Sequence, residues 1–263
     1  MTTVAEILVL LDRLYPPHLA EDWDVNGLTV GDPAAEVTRV HLAVDPTFAV
    51  AKEAIEVGAQ LLITHHPLML RGVTSVAADT IKGAVVHALA TSGVALANAH
   101  TTADSAQHGV SDALATALGV SVTGPLVEAS GTGRVGTVAK TTLAEFAAAV
   151  AAALPATAGG VLYAGPADAV VERVGLVGGA GDSFLNDAVA ADVDVYVTAD
   201  LRHHPALDAR EAANLRDGRP YLVNVSHAAS ESLWLADLAR ELEGLGLTAT
   251  VSRLNTDPWT GRA

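Results

Sequence analysis

The chain has 263 residues, of which half are hydrophobic and only 4% aromatic, and its 15 Lys and Arg stand against 30 Asp and Glu for a net charge of −15. That length suits one large domain or two small ones, and the acidic balance argues against nucleic acid or an anionic membrane as partner. The absence of cysteine excludes disulfides, thiolate nucleophiles and thiolate ligands, leaving any metal to histidine and carboxylate.

In chain order, MTTVAEILVLLDRLYPPHL predicts a short amphipathic helix stopped by Pro16 and Pro17. It carries Glu6 and Asp12 within its apolar run and no basic leader, so it does not resemble an export signal. The stretch EFAAAVAAALPATAGGVLYAG is broken by Pro155, Gly159 and Gly160 before it reaches spanning length. A cytoplasmic protein without membrane partners is the expectation.

From residue 37 onward, strand-type and helix-type segments alternate: VTRVHLAVD, AVAKEAIEVGA, QLLITHH, KGAVVHALATSG and VALANAH. This alternation predicts parallel strands with crossover helices. The middle of the chain predicts a strand at RVGTVAK and a helix opened by Thr141 or Thr142 ahead of Glu145. VVERVGLVGG, SFLNDAVAADV, DVYVTAD, DAREAANLRDG and PYLVNVSH then repeat the earlier order. The expected fold class is α/β, with two related lobes, pseudo-duplicated sheets flanked by helices, spanning 1–125 and 126–263. The C-terminal segment is allowed to return to the first lobe.

Laid over one another, the halves match His65-His66-Pro67 with His203-His204-Pro205, and His100 and Asp104 with His227 and Glu231. All six histidines fall just past predicted strands, where an open parallel sheet forms its ligand sites. Asp104 and Glu231 each follow a histidine by four positions, one helical turn, so each pair can share a face. Imidazole with carboxylate suits Zn, Fe or Mn, and two carboxylates suit a metal pair. Adjacent strand residues point to opposite faces, so His65 and His66 reach one centre only if the chain bends there, as Pro67 allows. No Walker-type loop occurs; GLVGGAGDS is either an anion-cradling or a purely structural turn.

Five ordered motifs, WDVNGLTVGDP (23–33), ITHHP (63–67), AHTTADSAQHGVSDALA (99–115), YVTADLRHH (196–204) and SHAASE (226–231), resemble those of the NIF-three-like dinuclear-metal proteins, the GTP cyclohydrolase 1 type 2 family. The resemblance implies two α/β lobes facing each other across a metal cleft. It also implies His65, His66, Asp104, His227 and Glu231 as ligands of two divalent ions per chain, with the carboxylates bridging. Trp23, Asn26 and Gly27 match a signature near that site. His100 is then a catalytic residue that orients water or carries its proton, while His203 and His204 either line the cleft or cap a helix start. Thr102, Ala103 and Ala199 depart from the usual family pattern without touching a ligand position.

The implied activity is hydrolytic opening of the guanine imidazole ring of GTP with release of formate, by a homo-oligomer of hexameric-ring type acting on a nucleotide-like small molecule. Alternatives are a broader metallo-phosphoesterase or nucleotide hydrolase, and a non-catalytic oligomeric metal-binding adaptor. A triphosphate would call for basic lining from residues such as Arg71, Lys82 or Arg202.

Overall fold

Thr3 opens the first helix, α1 (Val4–Leu14), with a capping box: its hydroxyl accepts from the Glu6 amide and the Glu6 carboxylate accepts from the Thr3 amide. Val4, Ile7, Leu10 and Leu11 form the buried face, and the helix ends before Pro16 and Pro17, as its sequence predicts. The computed structural model describes residues 2–263. The chain divides into two units, one of residues 1–107 and 234–256, the other of 108–233 and 257–263.

The first unit begins with β1 (Thr2–Thr3) and α1, followed by β2 (Gly27–Val30), β3 (Glu36–Val37) and β4 (Arg39–Ala43). Then come α2 (Phe48–Glu56), β5 (Leu61–Thr64), α3 (Ile81–Thr91), β6 (Ala95–Asn98) and α4 (Thr101–Ser105). β4, β5 and β6 are parallel neighbours, with Leu42 beside Ile63 and Thr64 beside Asn98, and β2 closes one edge antiparallel to β6. β5 and β6 are buried along their whole length, as strands covered on both faces must be. Val50, Ala51 and Ala54 of α2 and Val85 and Leu89 of α3 pack on Leu62 and Leu96. Each fully buried Leu or Val there contributes roughly 1.5–3 kcal/mol.

The second unit holds α5 (Val110–Ala117), β7 (Ser121–Gly124), β8 (Arg134–Thr142), α6 (Leu143–Ala153), β9 (Leu162–Ala164) and β10 (Val170–Ala180). It continues with α7 (Leu185–Ala190), β11 (Val195–Ala199), α8 (His203–Asn214), β12 (Tyr221–Val225) and α9 (His227–Glu231). Its sheet runs β7-β8-β10-β11-β12-β9, with β10, β11 and β12 parallel. Thr142 and Glu145 form a second capping box at the start of α6. Beyond α9, α10 (Leu235–Gly244) and β13 (Thr248–Val251) belong to the first unit, where β13 pairs with β4.

The boundary expected at 125/126 thus falls earlier, after Gln107. The reason is packing: Leu114 and Ala115 of α5 share a core with Val174 and Leu176 of β10, and β7 pairs with β8, contacts that the loop composition around residue 125 does not encode. The duplication is visible as β4-α2-β5-α3-β6-α4 against β10-α7-β11-α8-β12-α9, both with consecutive parallel strands and a five-residue final helix. Among the described residues no helix is long and apolar enough to cross a membrane.

Candidate metal centre

β5 ends at Thr64, whose Oγ1 donates to the His66 carbonyl at 2.8 Å. The His65 and His66 amides still donate to Ala43 and Val44, yet their rings lie 5.0 Å apart at 47°. The threonine-closed bend answers the strand-parity problem that adjacent histidines pose. One strand over, His100 follows β6 as the residue preceding α4, with its ring 5.2 Å from His65 and 5.5 Å from His66. Ligand atoms of these three histidines lie within 4.8 Å of one another. Asp104, one turn into α4, has its Oδ1 3.5 Å from His65 Nε2.

Each of these rings is oriented from behind. Nδ1 of His65 donates to the Ala99 carbonyl at 2.9 Å, Nδ1 of His66 to Asp45 Oδ1 at 2.7 Å, and Nδ1 of His100 to Asp24 Oδ1 at 2.6 Å. Carbonyl and carboxylate oxygens only accept, so Nδ1 of each ring carries a proton and Nε2 is the ring nitrogen turned away from these partners.

Asp24, with a fully buried carboxylate, is the most heavily bonded of the supporting acids. Its Oδ2 accepts from the Thr101 amide at 3.0 Å, the Thr101 hydroxyl at 2.5 Å and Asn26 Nδ2 at 2.8 Å. Burial alone would raise its pKa, but the bonds from His100 and Thr101 outweigh it and hold the carboxyl well below the usual carboxylate range. Asn26 Oδ1 in turn accepts from the His100 amide at 2.7 Å and the Thr102 hydroxyl at 3.1 Å. The Trp23 ring meets His100 edge-on at 5.9 Å.

The second unit carries its own set. His227 opens α9; its Nδ1 donates to Asp200 Oδ2 at 2.7 Å, and its Nε2 lies 2.9 Å from Glu231 Oε1, one turn along the same helix. Glu231 is 3% exposed, and a carboxylate so buried needs a positive or metal partner. Space for it comes from Gly179 at the end of β10. A Cβ there would stand 2.2 Å from Glu231 Oε1, and its φ of +68° is left-handed. The Gly179 amide donates to Ser230 Oγ, its carbonyl accepts from Thr198 Oγ1, and the Gly181 amide donates to the Ala199 carbonyl. The Gly179 and Gly181 amides of GLVGGAGDS are thus engaged within the fold.

His203 and His204 do not occupy the place of His65 and His66. Strand register sets Ala199 beside Val225 as Thr64 sits beside Asn98, which makes Asp200 the counterpart of His65. The second His-His-Pro lies in the first turn of α8, exposed, its two rings contacting each other. The two His-His-Pro stretches are alike in letters but not in position, because the loop 65–80 has no equivalent before α8. Of the other histidines, His41 is buried between Thr250 and Glu53, while His18, His87 and His108 are exposed. Arg202 is tied to Asp182 at 2.5 Å, and Arg71 is exposed.

The sequence reading missed Asp24, Asp45 and Asp200. A signal for two was present: Asp45 and Asp200 follow strand runs just as the histidines do, and the strand-end rule applies to acids as well. Asp24 lies inside the motif whose Trp23 and Asn26 were singled out.

Fold and donors together define an α/β protein of two duplicated units whose imidazole and carboxylate groups suit a divalent ion. The profile of the Duf34/NIF3 (NGG1p interacting factor 3) family matches residues 2–258, and the chain belongs to that family. A Streptomyces coelicolor relative named GTP cyclohydrolase 1 type 2 homolog is 45% identical, covering 99% of this chain and 94% of its own. A Mycobacterium tuberculosis relative of the same name is 34% identical over 371 aligned positions, covering 97% of this chain and 96% of its own, so it carries a long insertion that this chain lacks. A solved Staphylococcus aureus structure superposes with a TM-score of 0.87 at 28% identity, covering 99% of both chains.

Proposed function

We propose that the protein is a metal-dependent hydrolase of the GTP cyclohydrolase 1 type 2 kind, with His65, His66, Asp104, His227 and Glu231 holding two divalent ions per chain. The observation that carries this reading is the shared tautomer. His65, His66 and His227 each spend Nδ1 on a carbonyl or carboxylate oxygen, and Nε2 of His65 and of His227 lies toward Asp104 and Glu231 respectively. Structural histidines at a surface do not need such uniform support, whereas ligating ones do. The donor set, imidazole and carboxylate without thiolate, fits Zn, Fe or Mn.

Bound ions would supply Lewis acidity, which polarises a substrate oxygen and makes water a usable nucleophile near neutral pH. The protein's own contribution is orientation and proton handling. His100, locked by Asp24 behind and by Asn26 at its amide, keeps Nε2 free to take a proton from attacking water and return it to the leaving group. The names of the relatives support guanine ring opening with formate release and therefore a nucleotide-like substrate. The family resemblance supports a homo-oligomer of hexameric-ring type, which light scattering of the purified protein checks.

The test is elemental analysis of protein purified without chelator, followed by incubation with GTP and with generic phosphoesters. Two metals per chain with formate release, both lost in Asp104→Ala and Glu231→Ala, support the reading. Phosphate release without formate would move the substrate to phosphoesters. Metal without turnover would leave a binding protein, and metal-free protein that cannot be reloaded would end the proposal.

A further inference from the structure

Past Ser252 the chain has no regular secondary structure and is exposed at every residue but two, Thr256 and Asp257. Both are engaged beside candidate ligands. Thr256 Oγ1 donates to Asp45 Oδ2 at 2.5 Å, and the other oxygen of Asp45 accepts from His66 Nδ1 at 2.7 Å. In the second unit, Asp257 Oδ2 accepts at 2.5 Å from the hydroxyl of Ser226, the residue before His227.

The Asp45 arrangement repeats one already seen. Asp24 holds His100 through Oδ1 and takes a threonine hydroxyl, that of Thr101, on Oδ2 at 2.5 Å. Asp45 holds His66 through Oδ1 and takes the Thr256 hydroxyl on Oδ2 at the same distance. The difference is origin: Thr101 is on α4 beside its histidine, whereas Thr256 comes 211 residues after Asp45. His65 needs no such help, because a main-chain carbonyl fixed by the sheet orients it. His66 is held by a carboxylate side chain that is about a quarter exposed, and the Thr256 hydroxyl bonds the oxygen of that carboxylate which His66 does not use.

We infer that Thr256 is a positioning residue for the metal centre: its hydroxyl fixes the Asp45 carboxylate, and through it the aim of His66 Nε2. This rests on the proposed metal site and extends it to the C-terminal segment. The hydroxyl should matter and the methyl should not, so Thr256→Ser retains the function and the nearly isosteric Thr256→Val removes it.

The full-length wild type, Thr256→Val, Thr256→Ser, Asp45→Asn and the Asp45→Asn/Thr256→Val double variant are loaded with Zn²⁺ and titrated with a competing chelator. Cobalt-loaded samples give the visible absorption of the ligand field. The expected result is zinc affinity lowered about tenfold in Thr256→Val, the low end of what outer-shell partners cost. Thr256→Ser regains wild-type affinity and cobalt spectrum, and Thr256→Val adds no further loss on top of Asp45→Asn. Wild-type affinity in Thr256→Val, a loss equally large in Thr256→Ser, or additive losses in the double variant would each overturn the inference while leaving the metal site standing. Wild-type protein that binds no zinc, cobalt or iron would remove the site and the inference together. Melting of the metal-free variants, expected within 2 °C of wild type for Thr256→Ser, identifies a Thr256→Val protein that has lost its fold, and the serine variant then decides.

Discussion

His100 Nδ1 and Asp24 Oδ1 lie 2.6 Å apart although 76 residues separate them in the chain, and the same Asp24 carboxylate receives three further bonds from Thr101 and Asn26. The pair has the form of an imidazole held in one tautomer by a buried acid. Asp24→Asn keeps the shape but places an amide where the Nδ1–H needs an acceptor. Turnover should fall 10²-fold or more, as for a disabled general base, while metal per chain stays at the wild-type value. Steady-state kinetics alongside elemental analysis separates the two; metal loss in parallel with activity would show that His100 is a ligand instead.

Asp200 does for His227 what Asp45 does for His66. On the proposed metal site, Asp200→Asn should weaken metal binding by about 10–100-fold, the cost of removing a carboxylate that orients a ligating imidazole. Chelator competition measures it, and an unchanged affinity would remove Asp200 from the site.

Gly179 sets the space for Glu231. In Gly179→Ala the new Cβ falls 2.2 Å from Glu231 Oε1 on a backbone with φ of +68°, so carboxylate and strand end must both move. Urea denaturation should show a loss of about 1–3 kcal/mol, and metal affinity should fall with it. A variant as stable as wild type would mean that Glu231 has room to swing aside.

Arg134, almost fully buried, grips Asp112 through Nε at 2.6 Å and Nη2 at 2.8 Å. Burial pulls the Asp112 pKa up, but Arg134 and the His108 amide pull harder, and the net shift is downward. A depressed carboxyl stabilises the fold above its unfolded pKa of about 3.9, and that contribution is lost as pH falls through the folded value. Asp112→Asn should cost about 3 kcal/mol at neutral pH, because the buried Arg134 loses its carboxylate partner, and should flatten the stability profile below about pH 4. Denaturant midpoints at pH 7 and pH 3 provide the comparison, and equal pH slopes for variant and wild type would count against it.

His203 and His204 are exposed in the first turn of α8. Replacing both with alanine should leave metal content unchanged and alter stability by less than about 0.5 kcal/mol. A drop in metal stoichiometry would restore them to the site.

The sequence by itself determined what is local. The alternation of hydrophobic period placed the parallel βαβ units, the Thr-x-x-Glu boxes started α1 and α6, and histidines with acids four residues on marked the two short helices that bear them. Only the tertiary structure decided which second residue stands behind each imidazole. Asp24 supports His100, Asp45 supports His66 and Asp200 supports His227 across gaps of 76, 21 and 27 residues, and Thr256 reaches Asp45 from the far end of the chain. It also decided that Asp200, not His203, follows the counterpart strand. Strand pairing sets register through main-chain hydrogen bonds that do not depend on side-chain identity, so one chain position becomes equivalent to another by the ladder it joins, not by the letter it carries.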